Sequence, residues 1–306
     1  MNWRLACVVV VLPVMALQGC AGGNSRDRLP SQGKIAKKLV ELQSWPDEET
    51  GRAAKDELAS YGPAMVEPML RLLQNPPDRL IRETAVRDAC LAIGPEAVSP
   101  LVEHIRGQTG ELGLSGQVAL ETLGYLGCAS PEVLECLREC LRRETDPDAV
   151  FQATRAVARL GETAKPVLPD LLKVEEINSK IMDTVGRRAA WYYACYRVGH
   201  ERDKMVARLK VCATPDSANS GEREEAIPAL TLIRGDDPEV VRILASNLTD
   251  RAGGVADAAR EGLRDILKRF PSAVDILRRL ADDPTTGDFL KGDIRDLLKP
   301  DDEPPE

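Results

Sequence analysis

The chain has 306 residues, of which 43% are hydrophobic and 29% charged, enough apolar material for a packed core and too much for a disordered polymer. Its 41 basic and 49 acidic side chains leave a net charge of −8, which repels phosphate backbones and excludes a general nucleic-acid binder. Aromatics make up only 4% and there are 2 histidines, a composition that favours packed helices over β-sandwiches and leaves little for imidazole chemistry.

Residues 1–20 (MNWRLACVVVVLPVMALQGC) place Arg4 ahead of an apolar run from Leu5 to Leu17. As a helix that run spans about 20 Å, short of the ~30 Å hydrocarbon core, and it reads as a cleaved export signal. Its end, Leu17-Gln18-Gly19-Cys20, resembles the lipobox of bacterial lipoproteins. The resemblance implies cleavage before Cys20, a lipid on that thiol, and a membrane-anchored chain facing the periplasm. Ala21 after the cysteine implies, by the same resemblance, the outer membrane of the envelope rather than the inner one. Residues 21–33 (AGGNSRDRLPSQG) are polar and aperiodic, the composition of a flexible tether.

Residues 34–44 (KIAKKLVELQS) put Ile35, Leu39 and Leu42 on one helical face, as a capping helix requires. From there the chain repeats: a helical stretch ends in an apolar residue and glycine, then a short turn, often with proline, opens a second helix. Tyr61-Gly62-Pro63, Ile93-Gly94-Pro95 and Leu160-Gly161 with Pro166 are the clearest copies; Gly127, Gly199 and Gly235 mark weaker ones, and a seventh around Phe270-Pro271 lacks the glycine. The glycine spacings are 32, 33, 34, 38 and 36 residues. Glycine suits the left-handed end of a helix and proline the first turn of the next. Four residues before the glycines stand Leu58, Cys90, Leu123, Val157, Cys195 and Thr231; eight before stand Ala54, Val86, Ala119, Ala153, Trp191 and Ile227. These columns form one buried stripe, and Met69, Leu101, Leu134, Leu168 and Val206, seven residues after, form its counterpart on the second helix. A hairpin of this size cannot bury its apolar face alone, so its neighbours must stack on it.

Paired helices at this period with a Gly-Pro turn resemble HEAT repeats, of the short bacterial kind also found in phycobilisome-lyase-like proteins. Over residues 51–281 the resemblance implies an all-α fold, a right-handed α-α superhelix built as a solenoid of about seven hairpins. It implies no lyase chemistry for any residue here. Pro228 and the polar Thr231 depart from the pattern in the sixth copy, where a kink or shifted register is expected. Residues 288–298 suit a last helix, which closes a solenoid of residues 34–298. The acidic, proline-rich residues 299–306 (KPDDEPPE) read as a disordered tail.

Few constellations suggest chemistry. Cys90 and Cys195 lie in a core column, where cysteine acts as a small hydrophobe. Cys136 and Cys140 are one helical turn apart, with Cys128 in the preceding turn; three thiolates there form a soft-metal alternative that lacks a fourth ligand. Whether any of the six cysteines after Cys20 pair as disulfides stays open at this point. Acids before prolines (Asp146, Asp237, Asp283) read as helix caps and turns, not calcium loops, and the glycine-rich insert at 107–116 as a loop. No nucleophile, metalloprotease or phosphate-loop motif is present, so neither catalysis nor a cofactor or metal is expected. Trp191, Tyr192, Tyr193 and Tyr196 crowd one short segment, as core packing or as an anchor for a partner. Second helices side by side, carrying Arg106, Arg138, Arg142 and Arg208 with Arg71 and Arg242 beside them, suggest a concave face for an acidic segment of a protein partner. The reading is a lipid-anchored envelope scaffold; the alternative is a lyase-like or metal-dependent accessory module using Cys128, Cys136 and Cys140.

Overall fold

The computed structural model describes residues 29–43, 48–74, 81–143, 145–177, 186–215 and 219–299. Among these there is no β-strand, and no helix is long and apolar enough to cross a membrane. The signal segment, Cys20, most of the tether and the tail beyond Lys299 lie outside the described residues.

Each expected repeat is a helix pair. The first helices are α2 (Glu48–Ser60), α4 (Glu83–Ile93), α6 (Leu114–Leu126), α8 (Pro147–Leu160), α10 (Arg187–Arg197), α12 (Ser220–Arg234) and α14 (Gly253–Arg269). Their partners are α3 (Val66–Gln74), α5 (Val98–Gly107), α7 (Pro131–Leu141), α9 (Leu168–Ile177), α11 (Arg202–Ala213), α13 (Pro238–Ser246) and α15 (Ser272–Asp282). The helices α1 (Gln32–Leu42) and α16 (Asp288–Leu297) close the two ends. First helices pack on first helices and second on second, which makes two layers of an all-α solenoid.

The local chemistry is the one the repeat implies. Gly62, Gly94, Gly127, Gly161 and Gly199 take φ between +63° and +89°, a region costly for other residues. Gly235 does not; its φ is −60°. There a Cβ would meet Thr231 O at 2.9 Å and Ile266 Cγ1 at 3.0 Å, so close packing by α14, not backbone conformation, requires the glycine. Pro228 sits inside α12 without ending it. The buried Thr231 hydroxyl donates to Ile227 O at 2.9 Å, which removes the cost of a polar group in the core column. Both core columns of the first helices are buried throughout. On the second helices Leu134 and Leu168 are only half-buried, and the preceding Val133 and Val167 take the inward position.

Neighbouring repeats are also clipped by buried polar groups. Asp146 caps α8 through Ala149 N at 3.0 Å and accepts from Leu112 N at 2.6 Å, while Arg143 reaches Gly110 O; together they pin the loop between α5 and α6. His104 Nδ1 meets Glu67 Oε2 at 2.7 Å and its Nε2 meets the buried Ser115 Oγ at 2.9 Å. The fully buried Glu222, at the start of α12, accepts from Ala189 N at 2.8 Å and so satisfies the first turn of α10. Asn247 Nδ2 donates to Ala213 O, at the end of α11. The buried apolar side chains form two clusters that meet at α10, where Tyr192, Tyr193 and Tyr196 pack against both.

Candidate functional site

Of the expected second-helix arginines, Arg71, Arg106, Arg138 and Arg142 are not free cations. Arg106 makes a two-pronged pair with Glu139 at 2.9 Å through both nitrogens. Arg142 does the same with Asp170, at 2.9 and 3.1 Å. Arg138 pairs with Glu135 at 3.0 Å and donates to Pro166 O at 2.8 Å, and Arg71 pairs with Glu67 at 2.7 Å. Most of these bonds join one second helix to the next, so the guanidinium groups are neutralised as inter-repeat ties. Arg208 and Arg242 are exposed, but they stand on different helices apart from this ladder.

A larger cleft lies on the other layer. Arg155 on α8 reaches Glu225 on α12 at 3.9 Å, past the intervening α10. The close approach begins at Gly124, where a Cβ would stand 2.9 Å from Ala156 Cα. α6, α8, α10 and α12 thereby line one cleft of about 560 Å³, with Tyr125, Arg155, Arg159, Tyr193, Arg197, Glu225 and Leu232 on its walls. A neighbouring hollow between α12 and α14 shares Pro228 and Leu232. This cleft is thus lined by first helices and not by the second helices of the sequence reading.

Guanidinium groups and rings alternate along this cleft. Arg159 lies 4.0 Å and Arg87 5.1 Å from the Tyr125 ring centroid, and Arg197 lies 5.7 Å from that of Tyr193, distances at which a cation is held by the ring face. Arg159 pairs with Glu121 at 3.1 Å, yet its Nη1 is buried without a hydrogen-bond partner. Arg197 donates to the Tyr193 hydroxyl at 2.9 Å and rests against Gly161. Tyr125 is 49% and Leu232 60% exposed, unusual for large apolar side chains on a curved inner wall.

Glu225 is held above the ordinary carboxylate range, because burial outweighs the attraction of Arg155 and Arg159. A raised folded-state pKa contributes stability below the unfolded value, which is lost as pH rises through the folded one. We expect Glu225→Gln to match the natural chain in melting temperature near pH 4 and to exceed it at pH 8. Equal melting curves at both values would show that Glu225 is not strained by burial.

Of the aromatic segment, only Tyr193 lines the cleft. Trp191 is 2% exposed and donates Nε1–H to Leu171 O at 2.8 Å, with Tyr192 edge-on to it at 5.4 Å. Trp191 is thus corrected from partner anchor to core. Tyr192 and Tyr196 are half-buried at the meeting of the two clusters.

The cysteine alternative finds no geometry. All six described cysteines are free, and no three His, Cys, Asp or Glu side chains among the described residues form a metal-binding group. Cys128 is half-buried and directs its thiol to Leu126 O. Cys136 and Cys140 are buried against each other, and that thiol–thiol pairing and burial hold Cys140 far up. Burial pushes Cys90 and Cys212 up to about 12, so these thiols stay protonated and poorly nucleophilic.

No family model matches the chain, nor does any curated protein. Among solved structures it is similar to human deoxyhypusine hydroxylase in complex with glycerol, at 17% identity over 87% of this chain and 94% of that one, with a TM-score of 0.33. It is also similar to an archaeal HEAT-like repeats protein from Thermococcus onnurineus NA1, at 12% identity over 89% of this chain and 97% of that one, with a TM-score of 0.30. Likeness at that level carries nothing about substrate or partner. The expectation of no catalysis is corrected to this extent: one of the similar structures is an enzyme.

Proposed function

We propose that the chain is an interaction solenoid of HEAT-like repeats that holds a protein segment against its first-helix layer, tethered to a cell-envelope membrane through lipid on Cys20. The observation that carries the reading is the cleft crossing α6, α8, α10 and α12, with Tyr125 and Leu232 exposed in or beside an otherwise charged wall. Tyrosine and arginine in a sheltered hollow are the residue types that dominate binding energy at interfaces. The lipobox-like end and the polar tether of residues 21–33 support the anchor, and the Gly-Pro turn supports placing the repeats with the short bacterial HEAT type.

The test is in-cell photocrosslinking from a benzophenone amino acid at Leu232, with the same group at Phe289 as control. Phe289 is 89% exposed but sits on the end helix α16. One envelope protein captured from position 232, absent from 289 and lost with Cys20→Ser, is the expected result. Equal capture from both positions would remove the cleft from the proposal. Capture unchanged by Cys20→Ser, or a chain that stays out of the membrane fraction, would remove the tether.

A further inference from the structure

The charges in the cleft are not balanced group for group, and the imbalance points to the chemistry of an occupant. Three guanidinium groups line it, those of Arg155, Arg159 and Arg197, facing the carboxylates of Glu224 and Glu225. Arg159 is paired with Glu121, from outside the lining, and Arg155 with Glu225. Glu224 is directed the other way, since its Oε1 would lie 2.5 Å from a Cβ placed on Gly254 of α14. Arg197 is left with a phenol as its hydrogen-bond partner. It is a half-buried cation held in place by the Tyr193 ring and by contact with Gly161. Such a guanidinium retains donors in a fork that fits a carboxylate.

Resting on the reading that this face binds a protein segment, we propose that Arg197 is an acid-recognition subsite. It receives an Asp or Glu side chain of an extended peptide, whose neighbouring apolar residue lies on Leu232 or Tyr125. The chain as a whole has a net charge of −8, so an acidic peptide is repelled at long range. A preference for acid must then arise locally, from a placed guanidinium and not from a diffuse positive field. The partly desolvated position of Arg197 strengthens one charge-assisted pair relative to an exposed surface pair.

The experiment is selection of a displayed library of random twelve-residue peptides on the folded full-length chain, repeated on Arg197→Gln and Arg197→Lys. The selected peptides are then synthesised and their Kd values measured at low and high salt. The expected result is enrichment of one Asp or Glu at a fixed distance from Leu, Phe or Tyr. Replacing that acid by its amide should weaken binding by about tenfold, roughly the worth of one such pair. Arg197→Gln should abolish both the enrichment and the tenfold difference with its melting temperature unchanged, and Arg197→Lys should keep a reduced share.

Selected peptides without acid bias, or the same bias on Arg197→Gln, would overturn the subsite while the binding face stands. Preference for phosphorylated over carboxylate peptides in follow-up measurements would overturn the carboxylate assignment. No enrichment over a blank surface would overturn the subsite and the binding face together.

Discussion

Alanine at Trp191 is expected to lower the unfolding free energy by about 3–5 kcal/mol, the range for a large buried aromatic. The indole fills the core column of α10 and is 2% exposed. Its Nε1–H bond to Leu171 O ties α10 to α9, so truncation leaves a cavity and removes that tie. The site is also where the two apolar clusters meet, and nearest-neighbour coupling is what keeps stacked repeats in one transition. Urea unfolding followed by circular dichroism should therefore show a lower midpoint and a broadened or split transition. A single transition displaced by less than about 1 kcal/mol would show that α10 does not hold the halves together.

Glu222→Ala is expected to cost about 2–4 kcal/mol, more than a surface acid and without creating a large hydrophobic cavity. The carboxylate is fully buried, accepts from the backbone of Ala189 and Arg188, and faces the Arg188 guanidinium at 3.5 Å. Removing it takes away the acceptor of Ala189 N–H in the first turn of α10. Glu222→Gln keeps one acceptor oxygen and loses the charge, so it should fall between the two. Hydrogen exchange should then quicken at Ala189 and Ala190 before it does elsewhere. Exchange that is uniform across the chain, or a loss under about 0.5 kcal/mol, would contradict a capping role.

Much of the architecture was legible in the chain because the forces that set it are local and periodic. The glycine positions, the buried columns of Leu123, Val157 and Cys195, and the capping role of Asp146 follow from helix geometry and cap chemistry alone. Which layer lines the cleft was not legible. A 3.6-residue stripe marks the face that meets its partner layer, but the direction of curvature depends on how closely adjacent helices pack, as at Gly124 and Ala156. The cleft residues did leave a signal. Two positions before the repeat glycines stand Tyr125, Arg159 and Arg197, and six before stand Glu121, Arg155 and Tyr193. These columns lie on the helix face opposite the core stripe, and reading them as a set would have found the wall. Arg106 and Arg142 misled because their partners, Glu139 and Asp170, lie 33 and 28 positions away, and a surface arginine looks the same in sequence whether paired or free. Glu222 was overlooked for the same reason.

The borrowed caps limit how this array can change in length. At two junctions a helix or loop depends on an acceptor supplied by the next copy: Leu112 N on Asp146, and Ala189 N on Glu222. Excising or duplicating a unit there would leave a donor stranded inside the protein, or an acid with nothing to hold. Buried ties of Asn247 to Ala213 O and of His104 to Glu67 set a similar limit at their junctions, whereas surface ties such as Arg106 with Glu139 are easily replaced. Growth and shrinkage of the array by recombination should therefore be constrained at these joints, with the copies on either side of each inherited as couples.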